Sequence, residues 1–224
     1  MYVNVDQIII EGNCKNIFIY NVSFDNVVFP NKIDGGINLN GYGSSALAEN
    51  IVIKNCKFTN STGILTDQYC STKNVKVIDC EFKDIYRCNW NGYRKVICLW
   101  RYDNLIIEGC TIDGTYGDAI CVGNYASGGE LVIKNNTFKG VTSRTMRVNV
   151  KDASAVDISS NVFYKELCTM NEDPYLAHDE GAYIYSPKSP VTIGINTWEE
   201  LPPNTNLYLY NVIIDMDAQI LLGE

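Results

Sequence analysis

The chain has 224 residues, 46% hydrophobic and 20% charged, enough for one domain with a real core and too apolar to be disordered by composition. Its net charge of −8 and pI near 4.7 argue against a general nucleic-acid binder, whose phosphate-facing surface is basic. No apolar run approaches the roughly 18–20 residues that span a bilayer, and the opening Met1-Tyr2-Val3-Asn4-Val5-Asp6 lacks a basic region followed by an apolar stretch, so no signal peptide is expected.

Taken in order, the chain repeats itself. Asparagine occurs 25 times, mostly flanking short β-branched runs. Asn16-Ile-Phe-Ile-Tyr-Asn-Val-Ser-Phe24 aligns with Asn50–Phe58, Asn74–Phe82, Asn104–Ile112, Glu130–Phe138 and Ala155–Phe163, and a degenerate seventh copy runs from Pro190 to Trp198. Intervals of 34, 24, 30, 26 and 25 residues put about 28 residues in each repeat. A second alternating run lies between the copies: Gly36–Leu39, Gly63–Thr66, Lys95–Cys98, Ala119–Val122, Thr145–Val148 and Gly181–Ile184. Ser44–Glu49 admits one short helical turn, and no longer helical period occurs. The repeat ends at Trp198. Pro202 and Pro203 then mark a turn, Leu207–Ile214 reads as a strand, and Ala218–Leu222 forms an apolar tail that caps the column or makes an oligomer contact. The expected division is residues 1–198 as solenoid and 199–224 as terminal strand and cap.

Short strands separated by turns cannot close a core alone. Stacked about 4.8 Å apart, each pairs with the copy above and below and buries one continuous column. The expected fold is therefore all-β, a parallel β-helix of about six or seven rungs. Phe24, Phe58, Phe82, Ile112, Phe138 and Phe163 should form an interior ladder. Two positions earlier Cys56, Cys80 and Cys110 should stack and give way to Asn136 and Asn161, whose inward amides need partners. In the second run Ile37, Ile64, Val96, Ile120, Met146 and Ile184 should point inward, leaving Asn38, Asn40, Leu65, Asp67, Cys121, Arg147, Asn149, Tyr183 and Tyr185 outside.

The nine cysteines (14, 56, 70, 80, 88, 98, 110, 121, 168) contain no CxxC pair. Their recurrence at one repeat position fits buried thiols used as small apolar groups in a reducing compartment. A disulfide framework and a metal column from Cys56 to Cys110 are the alternatives.

The opening Asp6–Phe24 segment and the later rungs of the form N-[IVL]-x-[IV]-x-[ND]-[CN]-x-F resemble the pectate lyase and polygalacturonase superfamily over roughly residues 5–198. The resemblance implies a right-handed parallel β-helix. It also implies a polysaccharide bound along one outer sheet face and the loops beside it. In such proteins a capping helix and earlier rungs usually precede the repeat; here strand-like sequence comes first, so an upstream cap or a partner is expected over that end. Tyr116-Gly-Asp-Ala-Ile-Cys-Val122 is similar to the Gly-Asp-Asp rung of polygalacturonases, but Ala119 replaces the second Asp and the other motifs of that family are absent. Inverting hydrolysis needs two carboxylates across the sugar, so half of that cluster is missing. The Gly-Asp-Ala-Ile rung also looks like some phage tailspike depolymerases. The bland role for Asp118 is an Asx turn cap after Gly117.

On the outer face, Asp67, Tyr69, Trp100, Arg101, Tyr125, Asn149, Tyr183 and Tyr185 are the expected substrate-binding residues. Aromatic rings stack on sugar C–H faces, while paired donors and acceptors hold the hydroxyls. Asp118, Arg147, His178 and Asp179 are the catalytic candidates. His178, the sole histidine, lies in the acidic loop Asn171–Glu180, and Arg144, Arg147 and Lys151 one rung below supply cations for lyase chemistry. No resident metal or cofactor is required, although the acidic loop can hold Ca2+.

The functional expectation is a carbohydrate-recognising β-helix, either a polysaccharide lyase or hydrolase or a non-catalytic phage tail, surface adhesion or spacer module. Its expected partners are a polysaccharide and other copies of itself in a homotrimer or larger assembly, with no nucleic acid or membrane. Reduced cysteines and the opening sequence favour cytoplasmic synthesis or virion association over classical secretion.

Overall fold

The computed structural model describes residues 2–25, 36–40, 46–66, 69–85, 95–115, 118–141, 146–149, 153–164, 182–185, 191–193, 197–199, 212–215 and 220–222. Three parallel sheets wrap one core. Sheet A stacks eight strands: Val3–Asn4, Val22–Asp25, Lys57–Thr59, Glu81–Ile85, Thr111–Thr115, Thr137–Val141, Val162–Tyr164 and Thr197–Glu199. Sheet B runs through Ile8–Glu11, Ile37–Asn40 and Ile64–Thr66, then the first halves of Lys95–Glu108 and Asp118–Lys134, then Met146–Asn149, Ala182–Tyr185 and Val212–Asp215. Sheet C takes the second halves of those two long strands, together with Cys14–Tyr20, Leu47–Lys54, Ser71–Ile78, Ala153–Ser159, Val191–Ile193 and Ile220–Leu222. The seven sequence copies are the corners that carry the chain from sheet C into the next strand of sheet A, so they join eight turns. Val212–Asp215 and Ile220–Leu222 pair in parallel with Ala182–Tyr185 and Val191–Ile193. Leu47–Glu49, where a helical turn was admitted, is the start of a strand, because its backbone is drawn into the ladder between Cys14–Tyr20 and Ser71–Ile78.

The asparagines are explained by backbone geometry. Asn16, Asn50, Asn74 and Asn104 at the start of the copy, and Asn21, Asn55, Asp79 and Asn135 at its corner, all have φ between 52° and 60°. Asn and Asp tolerate this left-handed region better than other L-residues. On the outside their amides form a ladder: Asn50 Nδ2 donates to Asn16 Oδ1, Asn74 Nδ2 to Asn50 Oδ1 and Asn104 Nδ2 to Asn74 Oδ1, each at 2.9 Å.

Inside, Phe24, Phe58, Phe82, Ile112 and Phe138 are in register along sheet A, as the repeat requires, and the backbone of Phe163 continues that register. The first three rings stack at 4.6 Å between centroids, close to the rung spacing. At the neighbouring corner the thiols of Cys56, Cys80 and Cys110 donate to the carbonyls of Ile19, Ile53 and Val77 one turn back. Asn136 and Asn161 fill the same role with stronger donors: their Nδ2 atoms reach Ile107 O at 3.0 Å and Ile133 O at 2.9 Å. Asn136 Oδ1 accepts from Cys110 N, and Asn161 Oδ1 accepts from Asn136 N, so these buried amides are satisfied. The seven described cysteines are free thiols, and Cys88 and Cys168 lie outside the described residues.

This thiol column makes stability fall at alkaline pH. A hydrogen bond to the Cys110 thiol, with burial behind it, pushes Cys80 up to about 12 from an ordinary 9.0, and a hydrogen bond to Cys80 followed by burial pushes Cys56 up as well. Because the folded values lie above the unfolded ones, their stabilisation is fully present below pH 9.0 and is lost as pH rises towards 12. Unfolding free energy is expected to drop by about 1.4 kcal/mol per pH unit for each such thiol in that window. Thermal melts from pH 7 upward check this, and Cys80→Ala should make the decline shallower.

Register in sheet B corrects one expectation. Ile37, Ile64, Ile97, Ile120, Met146 and Ala182 occupy one column, so Ile97 rather than Val96 stacks on Ile64, and Ile184 pairs with Val148 rather than with Met146. The slip is set at Gly63, where Val96 presses its backbone so closely that a Cβ would lie 1.8 Å from Val96 O. No described helix is long and apolar enough to cross a membrane.

Candidate functional site

Outside sheet B, register aligns Ile9, Asn38, Leu65, Cys98, Cys121, Arg147 and Tyr183 in one column. The middle of this face is closed to solvent. Leu65, Cys98 and Cys121 form a second small apolar cluster with Trp100 packed against it, while Ile9 at one end is half exposed. Soft side chains on successive rungs bury one another once an aromatic ring covers them.

Beside the cluster stand Lys95 and Asp118, register partners on adjacent rungs and each only 8% exposed. Among the described residues they are the only buried charged side chains. The solenoid's described ion pairs, such as Lys15–Glu49 at 2.8 Å and Lys57–Glu81 at 2.9 Å, keep at least one member substantially exposed and contribute little. The Lys95 ammonium lies 5.2 Å from the centroid of Trp100, a cation–π distance. Trp100 is held by its backbone N–H donating to Thr66 Oγ1 at 2.9 Å, while that hydroxyl donates to Cys98 O at 3.3 Å.

Charge in this patch falls on the thiols. Burial, then the hydrogen bond to Cys121, then Asp118 push Cys98 well above the ordinary thiol range. Cys121 is held below that range by its hydrogen bond to Cys98, with the cations Lys95 and Arg147 assisting. Of the two, Cys121 is the one on which these contacts favour the thiolate.

Asp118 and Arg147, two of the catalytic candidates, are thus brought to the same thiol from successive rungs. His178 and Asp179, the other two, lie outside the described residues, as do Asp67 and the acidic loop expected to hold Ca2+. Trp100 is half-buried against the cluster, and Tyr69 is 52% exposed. Arg101 sits at the register shift where sheet B bends into sheet C, its carbonyl accepting from Thr72 Oγ1 at 2.8 Å. Tyr125 lies within the strand Asp118–Lys134, Asn149 is in register with Tyr185, and Tyr183 with Arg147. No group of three His, Cys, Asp or Glu side chains is arranged for a metal among the described residues.

Lys95 is the residue that sequence reasoning missed. Aligning Lys95-Val-Ile-Cys98 with Ala119-Ile-Cys-Val122 set Lys95 against Ala119 and Cys98 against Val122. The true register, one residue away, pairs Lys95 with Asp118 and Cys98 with Cys121.

No curated protein matches this chain, and no solved structure does. A family model does: the right-handed β-helix region, over residues 6–197. That span runs from the first strand of sheet B to the last strand of sheet A, the stretch in which parallel strands repeat turn after turn, and the chain belongs to the right-handed β-helix family, consistent with a pectate lyase-like solenoid.

Proposed function

We propose that this protein recognises carbohydrate at the outer face of sheet B, with Trp100 as the stacking surface and Lys95, Asp118 and Arg147 as the polar contacts. The burial of Lys95 and Asp118 carries the reading. Taking charges out of water costs several kcal/mol each, whereas the described ion pairs of the solenoid lie at the surface. Charged side chains held out of water beside an aromatic ring support a site over a plain scaffold. A half-buried indole offers apolar area for a sugar's C–H face and the partly exposed Arg147 guanidinium donates to hydroxyls, while Lys95 and Asp118 meet the ligand only through their small exposed fraction.

The test is a broad polysaccharide panel, with retention of the protein and chain length of the glycan both followed by size-exclusion chromatography. Retention on one glycan is expected. Arg147→Gln should weaken it about tenfold, the worth of a charged hydrogen bond, without lowering the melting temperature. Unchanged retention in that variant together with Asp118→Asn would overturn the site. Shortening with unsaturated ends would assign a lyase and shortening without them a hydrolase. Retention without shortening would assign an adhesion module, and neither effect on any glycan would leave a structural spacer.

A further inference from the structure

We propose that Cys98 and Cys121 form a reversible dithiol–disulfide couple on the outer face of sheet B, oxidised by exchange with a small-molecule disulfide. The inference is independent of carbohydrate recognition. Register places the two residues directly opposite each other on neighbouring parallel strands. At the rung spacing, their Cα atoms lie about 4.8 Å apart, inside the 4.4–6.8 Å that disulfides span. Leu65 precedes them in the column and Arg147 follows, so the pair is isolated from other thiols there. Their sulfurs are hydrogen-bonded to each other, and the cations Lys95 and Arg147 favour the thiolate on Cys121.

The interior cysteines also bond thiol to thiol along their column, but they have backbone acceptors as well and belong to the main core. Cys56, Cys80 and Cys110 each have two backbone carbonyls within reach of their one S–H and are walled in by the core, so they offer no thiolate for exchange. The outer pair belongs to a separate small cluster with only Leu65, and among the described hydrophobic residues Trp100 is the one packed against it.

In the first step the Cys121 thiolate attacks one sulfur of the small disulfide. A mixed disulfide forms and one small thiolate leaves, taking up the proton Cys121 released. In the second, the Cys98 thiolate attacks the Cys121 sulfur and expels the second small thiolate, which takes up the Cys98 proton. The protein dithiol loses two electrons, and the small disulfide becomes two thiols. A disulfide needs Cβ atoms roughly 3.5–4.5 Å apart, closer than the rung spacing, so the bond pulls two rungs together and is strained. Strained disulfides are readily reduced, which makes the couple reversible.

The experiment incubates the native protein with increasing excesses of oxidised glutathione, quenches with acid, alkylates the remaining thiols and maps the peptides. The expected product is one internal disulfide joining Cys98 to Cys121, opened by dithiothreitol, with Cys56, Cys80 and Cys110 recovered as free thiols. Cys98→Ser should trap glutathione on Cys121, and Trp100→Ala should speed the wild-type reaction several-fold. Recovery of both Cys98 and Cys121 as free thiols at the largest excess, or their pairing only after unfolding, would overturn the proposal and leave them as packing groups. Pairing of either with another cysteine would overturn it equally.

Discussion

Gly63→Ala is expected to cost more than about 4 kcal/mol and to leave little folded protein at 37 °C, the outcome of a backbone clash that the structure cannot relax. A Cβ built on Gly63 falls 1.8 Å from Val96 O and 2.7 Å from Val96 C. Both are backbone atoms, so no side chain can swing aside. Nor can the rung retreat, because Ile64–Thr66 is hydrogen-bonded between Ile37–Asn40 and the strand from Lys95, and Gly63 O accepts from Ile37 N at 3.1 Å. Gly12→Ala is the control. Gly12 has φ +71° but nothing within 4 Å of its added Cβ, so only about 1–2 kcal/mol of left-handed strain is expected. Urea unfolding of both variants checks the contrast, and a wild-type midpoint for Gly63→Ala would show that the two rungs are not in this register.

Phe58→Ala is expected to lower unfolding free energy by about 3–5 kcal/mol. The ring is sandwiched at 4.6 Å between Phe24 and Phe82 and fully buried, and a Cβ at Gly36 would meet its Cδ1 and Cε1 at 2.8 Å. In a globular core neighbours relax into such a gap. Here the rungs on either side are fixed by ladders in three sheets, so the cavity stays open and the cost sits at the upper end of the range. Phe58→Leu, like the natural Ile112 in the same column, should recover about half of the loss. Equilibrium denaturation measures both, and a loss below about 1 kcal/mol would mean that the aromatic column is not continuous.

A continuous column also explains how the outer site is held. Trp100, Lys95 and Cys98 stand on one strand, Asp118 and Cys121 on the next and Arg147 on the third, each position fixed by the ladder rather than by a loop. Ladder-fixed positions spare the cost of ordering a loop when a ligand arrives, leaving only that of the side chains.

Much of this protein was written in its residues. The N-x-x-x-x-[ND] spacing marked each copy of the repeat, although its left-handed turns are seen only in the backbone, and Phe24, Phe58 and Phe82 announced the interior because only a stack buries a large ring at the same place in every repeat. The Cys-to-Asn exchange at the corner was also legible, since Asn136 and Asn161 fill the column vacated by Cys110. What the sequence left open was register between repeats of unequal length. In sheet B, Lys95-Val-Ile-Cys98 aligns almost equally well at offsets one residue apart, because Val96 and Ile97 are both apolar and blur the period-two pattern that would otherwise separate them. Only the three-dimensional packing of Val96 against the bare backbone of Gly63 chose between them. That choice set Lys95 beside Asp118 and Cys98 beside Cys121, so the solenoid was decided by local pattern and its candidate chemistry by a single-residue offset that only tertiary contact can fix.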